Sequence, residues 1–320
     1  MPTRRIVLLL SAAILSAQPR PGTTADFERW MKDDSNWGRW GKADESGTLN
    51  LITPATRLAA ARLVREGVAI SLSRDADKVK SADNPRPFIH EMLTSSEKPG
   101  ASTFTDSFTV AHHGIAHTHM DAPCHFSYKG RQYNGFPITG VTSKGAAHLN
   151  IEIARNGIFA RGVLVDIPQL KGVAYLEPGT AIYPEDLDAW EKKSGVHIQS
   201  GDVVLIRTGR WARRAEKGPW DLAERAGLHA TCVQWLHKRD IAVLGSDASI
   251  DVHPSQVEGL VEPVHTLTLV AMGTPILDNC DFEQLSAEAR KRGRWDFLLT
   301  TSPLAVPGAT GSPLNPIAIF

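Results

Sequence analysis

Hydrophobic and polar positions in the second half of the chain alternate between two kinds of segment. Apolar runs at residues 203–206 and 241–244 predict strands that are covered on both faces of a sheet. Residues 162–167 predict a further strand, and residues 184–193 and 228–239 predict helices between the strands. This order of strands and helices indicates an α/β fold.

The first half of the chain contains one clear helix. Thr53 is a favourable N-cap residue, Pro54 suits the first turn and Gly67 suits the position after the last turn, so residues 54–66 predict a helix. A shorter helix is predicted at residues 26–32, and strands are predicted at residues 68–73, 88–94 and 103–111. Because no internal repeat or low-complexity linker divides the chain, we predict a single domain.

Composition and charge describe an ordinary globular chain. Its 320 residues are 42% hydrophobic and 22% charged, with a formal net charge of zero. A pI of about 7.2 gives no basic footprint for nucleic acid, so no nucleic-acid partner is expected. The three cysteines, Cys124, Cys232 and Cys280, are too few for a disulfide framework.

The amino-terminal residues have the order of a secretory signal peptide. Arg4 and Arg5 precede an apolar run at residues 6–15, which is followed by small residues. The run is too short for a comfortable membrane span. We therefore expect residues 1–17 to be a signal peptide, and residues 18–320 to be a periplasmic or secreted domain without a membrane span. An uncleaved anchor or a wrongly assigned start codon is the alternative.

Candidate chemistry is concentrated at residues 112–125, which hold five of the twelve histidines and one aspartate. In an extended segment alternate residues share a face, so His117, His119 and Asp121 are expected to point the same way. Imidazole and carboxylate ligands suit zinc, manganese or iron better than calcium. The alternative is a solvated loop or a metal scavenger, against which the strand-like flanks and Pro123 argue.

Residues 118–125 read Thr-His-Met-Asp-Ala-Pro-Cys-His. This segment resembles the second half of the signature His-x-Gly-Thr-His-x-Asp-x-Pro-x-His of the cyclase-like metal-dependent hydrolases, the family of bacterial kynurenine formamidase and isatin hydrolase. The first half departs from the signature, because Ile115 stands four residues before His119. His113 with Gly114 is similar to that half with two residues inserted. His113 and His117 therefore remain alternative first metal ligands.

The resemblance implies a swivelling β/β/α domain with a largely β core and outer helices, assembled as a homodimer or higher homo-oligomer. It also implies a divalent metal, zinc or manganese, held by His119 and Asp121 and completed by His265 and Asp278. On the residues alone, such C-terminal donors are more typical of a core histidine and a helix-capping aspartate. The formamidases have Glu where this chain has Asp278, which leaves the second metal open.

Three aromatic residues are further candidates for the substrate pocket. Trp37 and Trp40 lie in a Gly-rich loop, and Tyr133 lies in a Gly-x-x-Tyr-Asn-Gly element; both elements resemble longer family members. Core packing is the alternative for the two tryptophans. Arg210, which follows a predicted strand, suggests an anion site that holds a carboxylate, with a solvated loop residue as the alternative.

The predicted function is metal-dependent hydrolysis of a small cyclic or N-acyl amide, or of an ester or lactone. A metal would activate water and polarise the carbonyl, and the resemblance implies that His125 moves a proton to the leaving group. Asp247 and His253 are the next candidates for this proton donor. The alternatives are a lactonase or dehydratase at the same site, and a periplasmic metal- or ligand-binding protein that has lost catalysis. The intact His125 argues against the last.

Overall fold

The computed structural model describes residues 21–98 and 100–320. The expected signal peptide at residues 1–17 lies outside the described residues. Within the described ranges, no helix is long and apolar enough to cross a membrane.

Strands and short helices alternate along residues 158–301, whereas strands outnumber α-helices among the described elements before them. The strands are β1 Ala69–Ser71, β2 Ile89–Lys98, β3 Ala101–Thr109, β4 His119–Asp121, β5 Val141–Thr142, β6 Gly145–Ala146, β7 Ile158–Asp166, β8 Ala181–Ile182, β9 Val203–Arg207, β10 Gly227–Leu228, β11 Val243–Ser246, β12 Ile276–Asp278, β13 Asp296–Thr301, β14 Gly311–Pro313 and β15 Ile317–Ile319. The helices are α1 Thr24–Asp33, α2 Pro54–Ala61, α3 Ile167–Lys171, α4 Pro184–Ser194, α5 Arg210–Lys217, α6 Cys232–His237, α7 Pro263–Thr266 and α8 Glu283–Arg292. A π-helical segment, Leu267–Met272, continues directly from α7.

Nine strands form one mixed sheet in the order β1-β15-β13-β7-β9-β11-β12-β4-β14. The four central strands β7, β9, β11 and β12 run parallel, β4 pairs antiparallel with β12, and β14 pairs antiparallel with β4 at the edge of the sheet. Every residue of β9 and β11 is buried, as their apolar runs predicted. The carboxyl ends of the parallel strands therefore meet at one edge of the sheet, where α/β proteins commonly place their sites.

Helices pack outside this sheet, with α2 against β7 and β13, and α3 against β9. The predicted α/β single domain with a largely β core and outer helices is confirmed. The helix predicted at residues 54–66 is present and begins as expected, since the Thr53 side chain accepts a hydrogen bond from the Thr56 backbone at 3.2 Å. It ends earlier, at Ala61.

The helix predicted at residues 228–239 is shorter than expected. Its first part is extended, because β10 pairs with β8 and the His229 backbone N–H continues this pairing to Ile182 O at 2.9 Å. Helix α6 begins only at Cys232. A local apolar pattern could not reveal this pairing with a distant strand.

Candidate metal centre

Strand β4 lies between β12 and β14 and brings three candidate ligands onto one face. His119 and Asp121 are two residues apart in β4, so their side chains leave the strand on the same side. Asp278 in β12 is the antiparallel partner of His119. Because cross-strand partners share a face, the pairing directs the Asp278 side chain toward the same point.

Two further histidines complete the cluster from outside the sheet. His113 comes from the loop before β4, and its Nδ1 lies 2.9 Å from Asp121 Oδ1. His265 comes from α7, and its Nε2 lies 3.1 Å from Asp278 Oδ2 and 3.8 Å from Asp121 Oδ2.

These five residues form two groups whose ligand atoms lie within 4.8 Å of one another: a first triad of His113, His119 and Asp121, and a second triad of Asp121, His265 and Asp278. Asp121 is common to both. The structure therefore brings His113, His119, Asp121, His265 and Asp278 together, as the resemblance implied, and it brings them together in a form that offers two overlapping metal positions.

The cluster fits a bound cation, because three of its buried polar atoms lack any other partner. His113 Nδ1, Asp121 Oδ1 and Asp278 Oδ1 make no hydrogen bond of acceptable geometry, although the first two are only 2.9 Å apart. Leaving such groups unpaired in a protein interior is costly. Lone pairs that converge in this way, on imidazole nitrogens and carboxylates, are the donor set of zinc and manganese sites.

The second nitrogen of each histidine ring is held by a partner outside the triads. His119 Nδ1 lies 2.8 Å from the His117 carbonyl, so it is the donor and Nε2 is free to face Asp121. His265 Nδ1 lies 2.5 Å from Asp251 Oδ2. Such partners fix the tautomer and orientation of a metal ligand. Asp251 is 14 residues from His265 in sequence, so no local motif identified it.

The carboxylates make the cluster favourable for positive charge. Burial opposes protonation of His265, yet the neighbouring Asp278 and Asp251 raise its pKa well above the ordinary histidine value. Burial likewise acts against charge on Asp121, but His119 and the other histidines hold the pKa of Asp121 well below its usual range. The same carboxylates would stabilise the charge of a bound divalent cation.

His125 lies beside the triads rather than within them. The short turn that begins at Pro123 carries it back toward the cluster, where its Nε2 is 4.0 Å from Asp121 Oδ2. Its ring stacks on His113 with centroids 3.8 Å apart and an interplanar angle of 6°. Burial lowers the pKa of His125 to about 4, so the ring is neutral near pH 7 and can accept a proton.

The structure does not bring His117 into the cluster. Strand β4 begins only at His119, so the alternation expected for residues 117–121 does not extend back to His117. The His117 ring packs edge-on against Phe88, and its Nε2 lies 3.3 Å from Arg86 O. Of the two alternative first ligands, the structure therefore places His113, and not His117, beside His119 and Asp121.

The three aromatic residues predicted to line the substrate pocket contact residues outside the two triads. Tyr133 has no exposed surface and its hydroxyl donates to Asp44 at 3.2 Å, so the prediction that it lines a substrate pocket is corrected. Trp37 donates its indole N–H to Val270 O at 2.7 Å. Trp40 lies under the guanidinium of Arg39. None of these contacts involves a member of the two triads.

The alternative proton donors named from the sequence have other surroundings. Asp247 is fully buried, and its carboxylate accepts hydrogen bonds from the Thr208 hydroxyl and the Thr208 and Gly209 backbone N–H groups, each at 2.8 Å. It is therefore a structural residue at the end of β11. The His253 backbone pairs with Arg225, and His253 belongs to neither triad.

His112 is a further neighbour of the site, which no sequence pattern distinguished from the other histidines. Its ring centroid lies 4.3 Å from that of His113. Burial lowers the pKa of His112 to about 3, so it is neutral near pH 7. His112 therefore packs against His113 of the first triad without adding positive charge.

An apolar cavity of about 290 Å³ borders the segment that leads into β4. Phe88 and Phe108, at the base of the β2–β3 hairpin, form one side of it, and Leu304 and Leu314 form another. His117 and Thr118, the two residues directly before His119, also line it.

Comparison with known proteins identifies the family of this chain. The family model described as "Putative cyclase" matches residues 70–252. A crystal structure described as that of a novel cyclase is 33% identical, with a TM-score of 0.81 over 89% of this chain and 99% of that chain. The chain therefore belongs to the cyclase family, which confirms the resemblance seen at residues 118–125.

Two isatin hydrolases share the fold at lower identity. Isatin hydrolase A from Ralstonia solanacearum is 23% identical, with a TM-score of 0.56 over 83% of this chain and 96% of that chain. Isatin hydrolase A from Labrenzia aggregata is 20% identical, with a TM-score of 0.52 over 83% of this chain and 98% of that chain. Comparison with curated proteins gives no significant match.

Proposed function

We propose that this protein is a metal-dependent hydrolase that cleaves the carbon–nitrogen bond of a small cyclic or N-acyl amide. The observation that carries the proposal is the pair of triads that share Asp121, with His125 Nε2 4.0 Å from Oδ2 of the same carboxylate. The fold shared with two proteins described as isatin hydrolases supports this choice of substrate class.

His113, His119 and Asp121 would hold a zinc or manganese ion, and His265 and Asp278 would hold a second beside it. When bound, the metal would act as a Lewis acid, which polarises a carbonyl group and lowers the pKa of bound water. The residues of the chain must then orient the ligands and move protons.

Proton movement falls to His125. It is neutral near pH 7, it is half-buried, and it stands outside both triads, so it can take a proton from the attacking water. Once protonated in a site that disfavours its charge, it is a stronger acid than free imidazolium and returns the proton to the leaving nitrogen.

The apolar cavity supports a small substrate with a flat or hydrophobic body. A volume of about 290 Å³ is at the lower end of the range usual for ligand sites. Phe88 and Phe108 offer aromatic side chains, and His117 and Thr118, which directly precede β4 in the sequence, line the same cavity. A ring-sized amide fits these dimensions better than a peptide.

The test is hydrolysis by the purified chain after removal of metal and reloading with zinc or manganese. N-formylkynurenine, isatin and simple lactones are compared as substrates. Protein stripped of metal by a chelator should be inactive, and reloading with either zinc or manganese should restore turnover of an amide or cyclic amide. Turnover of lactones alone would assign the site to a lactonase, and stoichiometric metal without turnover of any compound would favour a binding protein.

His125→Ala separates proton transfer from metal binding. It should keep the metal and lose about 10²- to 10⁴-fold in turnover, the usual contribution of a general acid or base. His148→Ala is the matched control, because His148 is an exposed histidine paired with Glu45 and should retain wild-type turnover. Loss of metal from His125→Ala would make His125 a ligand instead.

We also propose that the protein is exported, which rests on the signal-peptide pattern at residues 1–17. Mass spectrometry of protein from the periplasmic fraction or medium should find an amino terminus after about residue 17. An intact Met1 on cytosolic protein would contradict export.

A further inference from the structure

The loop that carries His113, residues 112–118, has no partner strand of its own. It lies between the end of β3 and the start of β4, and His113 precedes His119 by six positions. Ligands in one strand are held by the sheet, as His119 and Asp121 are. A ligand in a loop needs other contacts to hold it in place.

Arg86 Nη2 donates to His113 O at 2.8 Å, and two buried side chains bind the residues that follow. Asn279 Nδ2 donates to Gly114 O at 2.7 Å and to His117 O at 3.4 Å. An Arg210 Nη2 N–H donates to Ile115 O. These two side chains therefore bind three carbonyl groups of the loop, one of which, His117 O, also accepts from His119 Nδ1.

Arg210 and Asn279 are joined to each other as well. Arg210 Nη1 donates to Asn279 Oδ1 at 2.6 Å, so one guanidinium holds both the loop and the amide that binds the loop. Arg210 is 3% exposed and Asn279 is fully buried. Because its Nη atoms are bound within the protein, Arg210 does not serve as the anion site expected from its sequence position.

Both residues are anchored to the main sheet. Asn279 directly follows Asp278, and its backbone N–H donates to Ala248 O at 3.1 Å. Arg210 is the first residue of α5, where Asp247 accepts its backbone N–H at 3.3 Å. The network thus runs from the carboxyl edge of the parallel strands to the loop beside the first triad.

We infer that Arg210 and Asn279 form a clamp that positions His113 for metal binding. The inference rests on the proposed function, since it gives the clamp a role in the metal site. Arg210 is a positioning residue, because it acts through the loop and contacts neither triad. A planar guanidinium can donate to two acceptors in fixed directions, which a lysine ammonium cannot reproduce.

The first experiment measures loop order in metal-free protein and so does not depend on the proposed function. Hydrogen–deuterium exchange of peptides that cover residues 112–118 is compared in wild type, Arg210→Lys and Asn279→Gly. Glycine suits position 279, where φ is +55°, so this variant removes the side chain without adding backbone strain. Exchange in both variants should be faster than in wild type.

Arg207→Lys is the matched control. Arg207 is also 3% exposed, but it pairs with Asp166 and Glu283 and makes no contact with the loop. Its exchange at residues 112–118 should equal that of wild type. Equal exchange in wild type, Arg210→Lys and Asn279→Gly would overturn the clamp.

The second experiment measures zinc affinity by competition with a chromophoric chelator. Arg210→Lys should weaken binding about 10- to 100-fold, the usual effect of residues that support metal ligands. In a double-mutant cycle, Arg210→Lys should add little to His113→Ala, because the clamp acts through His113.

The outcomes separate the two proposals. Additive losses in the cycle would show that Arg210 acts through overall stability and would overturn the clamp. Wild-type zinc affinity in His113→Ala would also overturn it. Failure of wild type to bind zinc, together with faster loop exchange in Arg210→Lys, would reject the proposed function and the metal role while leaving only a structural clamp.

Discussion

Asp278 lies directly opposite His119 in the antiparallel pairing of β12 with β4. The sheet therefore sets the separation of these two candidate ligands, and Asp121 joins them from the next position on the same face of β4. The shorter side chain of Asp278 still reaches the cluster, since its Oδ2 lies 3.1 Å from His265 Nε2. The Glu expected from the formamidase pattern is not needed for this contact.

Asp251→Asn should weaken metal binding without unfolding the chain. Asp251 Oδ2 accepts from the His265 ring at 2.5 Å, and its oxygens also accept the Val264 and His265 backbone N–H groups. An amide retains the volume but holds the ring less firmly, so a loss of about 10- to 100-fold in zinc affinity is expected. Chelator competition measures it, and unchanged affinity would remove Asp251 from the supporting contacts.

Gly311→Ala should disturb His113 directly. An added Cβ would lie 2.7 Å from His113 Cε1 and 2.5 Å from Met120 O, and overpacking of this kind costs about 1–3 kcal/mol. Both the urea midpoint and the zinc affinity should fall. Gly140→Ala is the control, because its Cβ would meet only Ala147 Cβ at 3.8 Å. Equal urea midpoints and equal zinc affinities in the two variants would show that His113 can shift without loss of stability or metal binding.

The homo-oligomer stays a prediction, and the β2–β3 hairpin is the surface on which we test it. These strands pair only with each other, and the hairpin exposes Ile89, Met92, Leu93, Phe104 and Phe108. Light scattering after size exclusion should give a dimer or larger for wild type and a smaller mass for Phe104→Asp. Leu58→Asp, which replaces a similarly exposed apolar residue on α2, should keep the wild-type mass. A monomeric wild type would contradict this prediction.

Asp34 should make stability depend on pH. Burial raises the pKa of Asp34 to about 6, and the nearby His237, whose pKa is lowered by burial, does not offset its charge. The folded pKa exceeds the unfolded value of about 3.9, so the stabilising contribution of the protonated group is complete below about pH 4 and is lost as the pH rises through about 6.

Asp34→Asn cannot ionise and should therefore gain stability relative to wild type between pH 4 and pH 7, by up to about 3 kcal/mol. Urea unfolding at several pH values measures the difference. Asp75→Asn, at an exposed position that does not contribute to the raised pKa of Asp34, is the control. A difference that does not change with pH would show that Asp34 ionises normally.

Local signals in the sequence predicted the parts of the fold that local chemistry determines. Thr53 and Pro54 mark the start of α2, and the apolar runs of β9 and β11 mark buried strands. The same holds for the site, since alternation along β4 places His119 and Asp121 on one face. These inferences needed only neighbours in the chain.

Contacts between distant segments could not be predicted in this way. His113, rather than His117, lies beside His119 and Asp121, in a loop bound by Arg210 and Asn279, which are 95 or more residues away from the carbonyls they bind. Tyr133 is buried through its contact with Asp44, 89 residues distant. Such pairings depend on the order of strands in the sheet, which no local pattern encodes.

Asp121 would be a ligand in both triads, so the metal content of Asp121→Asn shows whether the two positions share this carboxylate. Elemental analysis after zinc reloading is compared for wild type, Asp121→Asn and the exposed control Asp188→Asn. Wild type and Asp188→Asn should bind zinc stoichiometrically, whereas Asp121→Asn, unchanged in volume but without its charge, should lose it and lose hydrolysis with it. Full zinc occupancy in Asp121→Asn would show that Asp121 is not the shared metal ligand.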